Sequence, residues 1–306
     1  MKNNKALATL GIISVVLMWG VSFLCIKVSV VVVQPMTLGF IRFFIASILL
    51  ALIVKIKCPN EKLEKKDVKY MMAAGFIGVT LYFYFENNGV KLLPASSASL
   101  IIALIPIFTL IFDTIFFKTR ITLVHGISVI VSLIGVYLLV DISFKDLFVS
   151  KSGKGYLMMF GAIFSWVVYC ITTKPVFDKY SQTFIVYYQS LFGTILFFPF
   201  ALFEKNLWSQ INMNIVLNIL YLSIFCSAIG FVVYVYSMKH LGVFTTSLYL
   251  NIMPVVTCVS SYIILKEAIY KNQIIGGIFI IVSVYLSSWQ EYRLNKKILN
   301  KEQNIS

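Results

Sequence analysis

The chain has 306 residues, of which 59% are hydrophobic, 15% aromatic and 12% charged, with a mean hydropathy of +0.90. A soluble domain carries about a quarter charged residues. Half that fraction cannot wrap a globule of this size in polar surface, which excludes a soluble enzyme, a secreted disulfide scaffold and a disordered chain.

A membrane-spanning helix needs about 20 mostly apolar residues, and ten stretches qualify: 6–29, 34–55, 69–90, 95–117, 121–141, 153–174, 182–203, 212–237, 243–265 and 269–289. The first follows Lys2 and Lys5, as a signal peptide would. It is longer than an h-region of about 7–15 residues and lacks a small-x-small cleavage site, so it is expected to stay. The 26 basic residues sit mainly in connectors between these runs, so the net charge of +14 reads as a topology signal and not as a nucleic-acid groove. With the N-terminus inside, seventeen bases fall on the inner side and seven on the outer, leaving Lys27 and Arg42 at or within spans. Both termini are therefore expected in the cytoplasm, in the inner or cytoplasmic membrane. The five cysteines show no paired spacing, no metal-ligand pattern exists, and no cofactor is implied. His125 and His240 stand alone near loop boundaries.

Laid over itself at an offset of 148, the segment Lys91–Val140 matches Lys239–Ser288 without gaps. Lys91/Lys239, Ser99/Ser247, Pro106/Pro254, Thr109/Thr257 and Lys118/Lys266 are identities, and Val136-Tyr137-Leu138 recurs as Val284-Tyr285-Leu286. Earlier the offset is 147, placing Trp19 over Trp166 and Lys27 over Lys174. Five spans per copy is an odd number, so the second copy enters the membrane from the opposite side. The expected fold class is an all-α integral membrane protein of ten transmembrane helices in two inverted five-helix repeats. Residues 6–141 and 153–289 would form the repeats, and 290–306 a cytoplasmic tail.

Trp19-Gly20-Val21-Ser22-Phe23 followed by Lys27 resembles the first-helix signature of the drug/metabolite transporter superfamily, EamA-type. Arg42 in the second span, Pro106 in the fourth and Asn251-Ile252-Met253-Pro254 in the ninth carry the same resemblance, which covers nearly the whole chain. Leu265-Lys266-Glu267 is similar to that family's acidic motif after the ninth span, whereas the matching position after the fourth is Thr119. The resemblance implies a carrier of amino acids, amines, nucleosides or drug-like amphiphiles, and it implies no enzyme.

Ionisable side chains inside a bilayer cost about 2.5–3.5 kcal/mol at helix centre and should face protein or water. Arg42 lies eight residues past Gln34, about 12 Å into the second span. It is either a substrate contact or a structural arginine on backbone carbonyls. Glu86, late in the third span, is either a site carboxylate or a helix end at the interface. For Lys27, at the end of the first span, a gating role competes with snorkelling, and Lys174 is its repeat partner. Trp19, Trp166, Tyr82, Tyr169, Tyr234 and Tyr249 are mid-span aromatics, each with a polar atom that needs a partner. With Ser22 and Asn251 they are expected to line a substrate cavity. Pro106 and Pro254 mark irregular backbone suited to a hinge.

The expected function is a secondary transporter that moves small organic metabolites by alternating access. A facilitative uniporter or channel is the first alternative and an intramembrane enzyme the second. No Walker-type phosphate loop is present, so energy comes from the substrate gradient or from coupled protons. The expected partners are a small-molecule substrate and the lipid bilayer, without nucleic acid; oligomeric state is left open.

Overall fold

The computed structural model describes residues 2–117, 122–140 and 150–303. Ten long helices account for most of them: α1 (Lys2–Ser29), α2 (Pro35–Lys57), α3 (Val68–Leu92), α4 (Ala95–Ile102 continued by Ile105–Phe117), α5 (Leu123–Val140), α6 (Lys151–Thr173), α7 (Gln182–Leu202), α8 (Met213–Leu241), α9 (Val243–Leu265) and α10 (Lys271–Gln303). Inside a bilayer only helices satisfy every backbone group within the segment, which is why apolar runs of this length fold this way. Their starts carry local signals. Pro35 opens α2, while Ser150, Ser181 and Asn212 cap α6, α7 and α8 by accepting from Gly153, Phe184 and Ile215 amides.

Among the described residues, eight helices, α1–α4 and α6–α9, are long and apolar enough to cross a membrane. The other two hold shorter described apolar stretches, Gly126–Gly135 in α5 and Lys271–Ser283 in α10. The ten-span expectation is thus met by ten helices, of which eight reach full spanning length on these residues. α10 runs unbroken to Gln303, through most of the residues expected as a tail. Residues 290–303 are rich in Gln, Glu, Arg, Lys and Leu, all good helix formers, and contain no Gly or Pro to stop the helix. Thr119 and its neighbours Lys118 and Arg120 lie outside the described residues.

The two copies meet face to face on their own equivalents. Trp19 and Trp166, 147 residues apart, form an edge-on ring pair with centroids 5.4 Å apart. The Ser47 and Thr194 hydroxyls, also 147 apart, approach to 3.4 Å where α2 crosses α7. The equivalence extends to backbone detail. The third helix of each copy contains a π-helical stretch, Gly75–Leu81 in α3 and Leu222–Gly230 in α8, at matching positions. In α3 this stretch presses closely on its neighbours. A Cβ on Gly78 would lie 2.1 Å from the Tyr169 ring of α6, and one on Gly75 would lie 2.6 Å from the Gln189 carbonyl of α7.

Pro106 and Pro254 do not kink continuous helices. Each is the second residue of a helical segment resumed after a break, at Ala103–Leu104 in α4 and at the 3-10 turn Leu250–Ile252 in α9. A first-turn position needs no amide donor, so proline fits there without loss.

The copies also clamp each other through the connectors that follow α2 and α7. Glu204 accepts from the Met36 and Thr37 amides and the Thr37 hydroxyl at the start of α2 (3.1, 2.7 and 2.9 Å), and Asn206 accepts from the Gln34 amide. At the opposite end Glu61 accepts from the Ser181 amide at the start of α7. Beside it, the buried Asp67 receives Lys179 at 2.7 Å and the Tyr180 hydroxyl at 3.0 Å. The Lys179 hydrogen bond is the main cause holding the Asp67 carboxyl below the ordinary aspartate range.

Candidate functional site

A small cavity sits between the copies, walled by the buried side chains of Trp19, Ser22, Arg42, Tyr82, Phe83, Glu86, Trp166, Phe231 and Met253. Its volume is about 20 Å³. That admits a water molecule and no organic metabolite.

Six helices supply the wall, from both copies: α1, α2 and α3 from the first, α6, α8 and α9 from the second. Trp19 donates its indole N–H to the Cys226 carbonyl at 3.1 Å, within the π-helical stretch of α8. Trp166 donates to the Tyr234 hydroxyl at 3.1 Å. Tyr82 stacks at 4.8 Å from Trp166 and donates to Glu86 at 2.7 Å. Both Trp side chains are thus satisfied by protein and held rigidly, leaving ring faces for contact.

Arg42 is 2% exposed. Its guanidinium lies 4.4 Å over the Phe83 ring, a cation–π geometry, and its Nε donates to the Ser227 hydroxyl at 3.3 Å. Its Nη1 has no hydrogen-bond partner. Glu86 is 4% exposed on the same wall, yet the two form no ion pair within 4.0 Å among the described residues. The wall thus carries a buried guanidinium with one unused donor and, without direct contact, a carboxyl group.

The charges belong to one copy only. At the 147 offset Arg42 corresponds to Gln189, which is 1% exposed and bonded to the Tyr169 hydroxyl and to Thr173. At the 148 offset Glu86 corresponds to Tyr234, the fully buried partner of Trp166.

The family model for EamA-like transporters matches this chain twice, over residues 6–141 and 153–289. The chain belongs to the EamA-like transporter family. This EamA-like transporter is accordingly a multi-pass membrane protein that carries a small molecule and catalyses no reaction. It is 29% identical over 279 residues to an uncharacterized transporter of Archaeoglobus fulgidus, covering 90% of this chain and 96% of that one. A Clostridium kluyveri uncharacterized transporter is also 29% identical, over 89% of each. A probable terminal-alkyne amino-acid exporter of Streptantibioticus cattleyicolor is 24% identical, over the whole of this chain and 98% of its own. One solved crystal structure superposes with a TM-score of 0.69 at 19% identity, over 94% of this chain and 98% of that one, a likeness of fold alone.

Of the residues singled out from sequence, Trp19, Ser22, Arg42, Tyr82, Glu86 and Trp166 converge on the cavity of this EamA-like transporter. Tyr169 and Tyr234 stand one layer behind, both fully buried. Tyr249 and Asn251 are half-buried and outside the lining, although Asn251 keeps a buried Oδ1 without a partner. Lys27 donates to the Val90, Lys91 and Leu93 carbonyls. Lys174 is exposed at the end of α6, and Pro106 and Pro254 lie at the helix breaks. Sequence reading misses Phe83, Phe231, Met253 and Ser227. The first two carry a usable signal, since they lie 148 apart and their rings meet at 6.1 Å. Met253 stands inside the quoted Asn251-Ile252-Met253-Pro254 motif but is passed over as an apolar residue beside Asn251 and Pro254, and Ser227 carries no signal, being an ordinary residue of an apolar run.

Proposed function

We propose that this protein is a secondary active transporter that exports small organic metabolites across the cell membrane by alternating access. Two five-helix units, 6–141 and 153–289, would move about the central cavity, with both termini and the segment 290–306 in the cytoplasm. Trp19, Ser22, Arg42, Tyr82, Glu86 and Trp166 contact the substrate, with Tyr169 and Tyr234 supporting the two indoles. The observation that carries this reading is the small cavity between the copies, with a buried arginine on its wall that has one open donor.

Among the substrate classes, amino acids fit that lining best. A carboxylate would fill the open Nη1 of Arg42, and an ammonium would meet Glu86 and the faces of the surrounding rings. The name of the Streptantibioticus cattleyicolor relative supports the same class. Proton coupling would run through Glu86, the one carboxyl group on the wall.

The test combines binding and flux. A ligand that binds only the folded protein raises its apparent stability by RT ln(1 + [L]/Kd). Free amino acids are expected to raise it in the purified protein, their methyl esters are not, and Arg42→Met removes the response. In proteoliposomes, flux should be saturable and stimulated by substrate on the far side. Flux linear in concentration would identify a channel, and equal binding of acids and esters would remove Arg42 as the carboxylate receptor.

A further inference from the structure

The short connector between α3 and α4 is gripped from both sides by helices that line the cavity. From the end of α1, the Lys27 ammonium donates to the Val90, Lys91 and Leu93 carbonyls at 3.0, 3.3 and 2.6 Å. Just past α9, the Glu267 carboxylate accepts from the Ala95 and Ser96 amides at 3.0 and 3.3 Å and from the Ser96 hydroxyl at 3.1 Å. A cation thus closes the carbonyl end of α3 and an anion the amide end of α4, each being the sign that helix terminus favours.

All three ammonium donors and both carboxylate oxygens are engaged. The crevice between them is walled by Lys27, Leu93, Glu267 and Tyr270, and the Lys27 ammonium offers it no spare donor. The grip acts on the helices themselves. Lys27 lies five residues beyond Ser22 on α1, and Val90 four residues beyond Glu86 on α3, about 6–8 Å along each axis. The cavity lies one to two turns inside the grip.

We infer that Glu267, reaching from the second unit to the start of α4 in the first, is the latch of the gate on this face and parts when the cavity opens there, while Lys27 holds the gripped connector in place within the first unit. The latch is one-sided in sequence: at the 148 offset Glu267 corresponds to Thr119, so the opposite gate has no carboxylate at that position. Losing the Glu267 charge therefore shifts the protein toward the state open on the Lys27 face, which the balance of bases makes the outer one. This inference rests on the alternating-access reading above.

The experiment uses Ser22→Cys on the cavity wall as a reporter. Its reaction with a membrane-impermeant maleimide is followed on intact cells and on inside-out vesicles, against the same protein with Ser22 intact. Adding Glu267→Ala is expected to raise the outer rate about tenfold, the scale of one charge-assisted hydrogen bond, and to lower the inner rate. Glu267→Gln, which keeps the shape, moves both rates in the same directions by less, and decides the matter should the alanine variant not fold. Unchanged rates, or rates that rise equally on both faces, overturn the latch and leave alternating access standing. Reaction from one face only or from neither, in the reporter and every variant alike, overturns alternating access itself.

Discussion

Adding one methyl group at Gly78 tests whether the close approach of α3 to α6 holds the cavity wall in place. The new Cβ would lie 2.1, 2.3 and 2.8 Å from Cδ2, Cγ and Cβ of Tyr169, where ordinary contact begins near 3.4 Å. Tyr169 has no room to withdraw. Its ring centroid is 5.2 Å from that of Trp166 and 6.1 Å from that of Phe231, and its hydroxyl is held by Gln189 at 3.1 Å. Relief therefore requires α3 and α6 to part by roughly an ångström, and Tyr82 and Glu86 travel with α3. Overpacking of this kind costs about 1–3 kcal/mol, occasionally more, and backbone-proximal contacts on an immobile ring place Gly78→Ala at about 3 kcal/mol. Gly126→Ala is the control. Nothing lies within 4 Å of its Cβ, so the higher helix propensity of alanine should leave stability unchanged or raise it by up to about 1 kcal/mol. Thermal unfolding in detergent, read alongside ligand-induced stabilisation, should show Gly78→Ala impaired in both and Gly126→Ala in neither. Equal melting of the two variants would refute the claim that this contact fixes the wall.

Further outcomes follow from the same geometry. The Asp67 carboxyl titrates lower in the fold than in the unfolded chain, so its stabilisation is complete above the unfolded value of about 4 and fades as pH falls through the folded one; Lys179→Met should flatten that acid-side loss in a pH series of unfolding curves. Cys58, half-buried with its sulfur 3.1 Å from the Ser181 hydroxyl, should resist an impermeant thiol reagent on intact cells, and strong labelling that Cys58→Ser abolishes would reverse the orientation. Trp166, whose ring meets Trp19, Tyr82, Tyr169, Phe231 and Tyr234, should lose about 3–5 kcal/mol on truncation to Ala and lose substrate affinity with it, measured as folded yield and binding together; normal affinity in the surviving protein would leave it a packing role alone. In a cycle of Arg42→Met and Glu86→Gln, the double variant should transport better than the sum of the single losses predicts, whereas additive losses would mean the two side chains act independently.

The repeat is legible in the chain because Trp, Lys and Pro do not recur in register by chance in an apolar sequence, and the structure sets Trp19 against Trp166 accordingly. Buried charge is legible for a related reason: Arg42 and Glu86 have no business in lipid unless protein receives them. What holds the copies together is not legible. Glu204 reaches Thr37 across 167 positions and Glu61 reaches Ser181 across 120, and connector acids look like any solvated loop charge until the fold brings a helix start to them. The π-helical stretches are equally silent, since their residues, Gly75-Phe76-Ile77-Gly78-Val79-Thr80-Leu81 among them, read as ordinary span. The helical continuation of α10 past 289 is hidden by an assumption: charge marks where a span ends, not where a helix does.

Joining two antiparallel copies in one polypeptide has a consequence for how such a protein can diverge. In a dimer of identical halves every substitution arrives twice, and a small chamber would receive two guanidinium groups and two carboxylates or none. Here Arg42 stands opposite Gln189, and Glu86 has Tyr234 as its counterpart. One half thereby carries the charges of the chamber while the other supplies neutral hydrogen-bonded side chains at the equivalent positions. A chimera carrying the first half's charges in both halves would double the electrostatic load of the chamber without enlarging it, a burden this chain avoids because its halves differ at these positions.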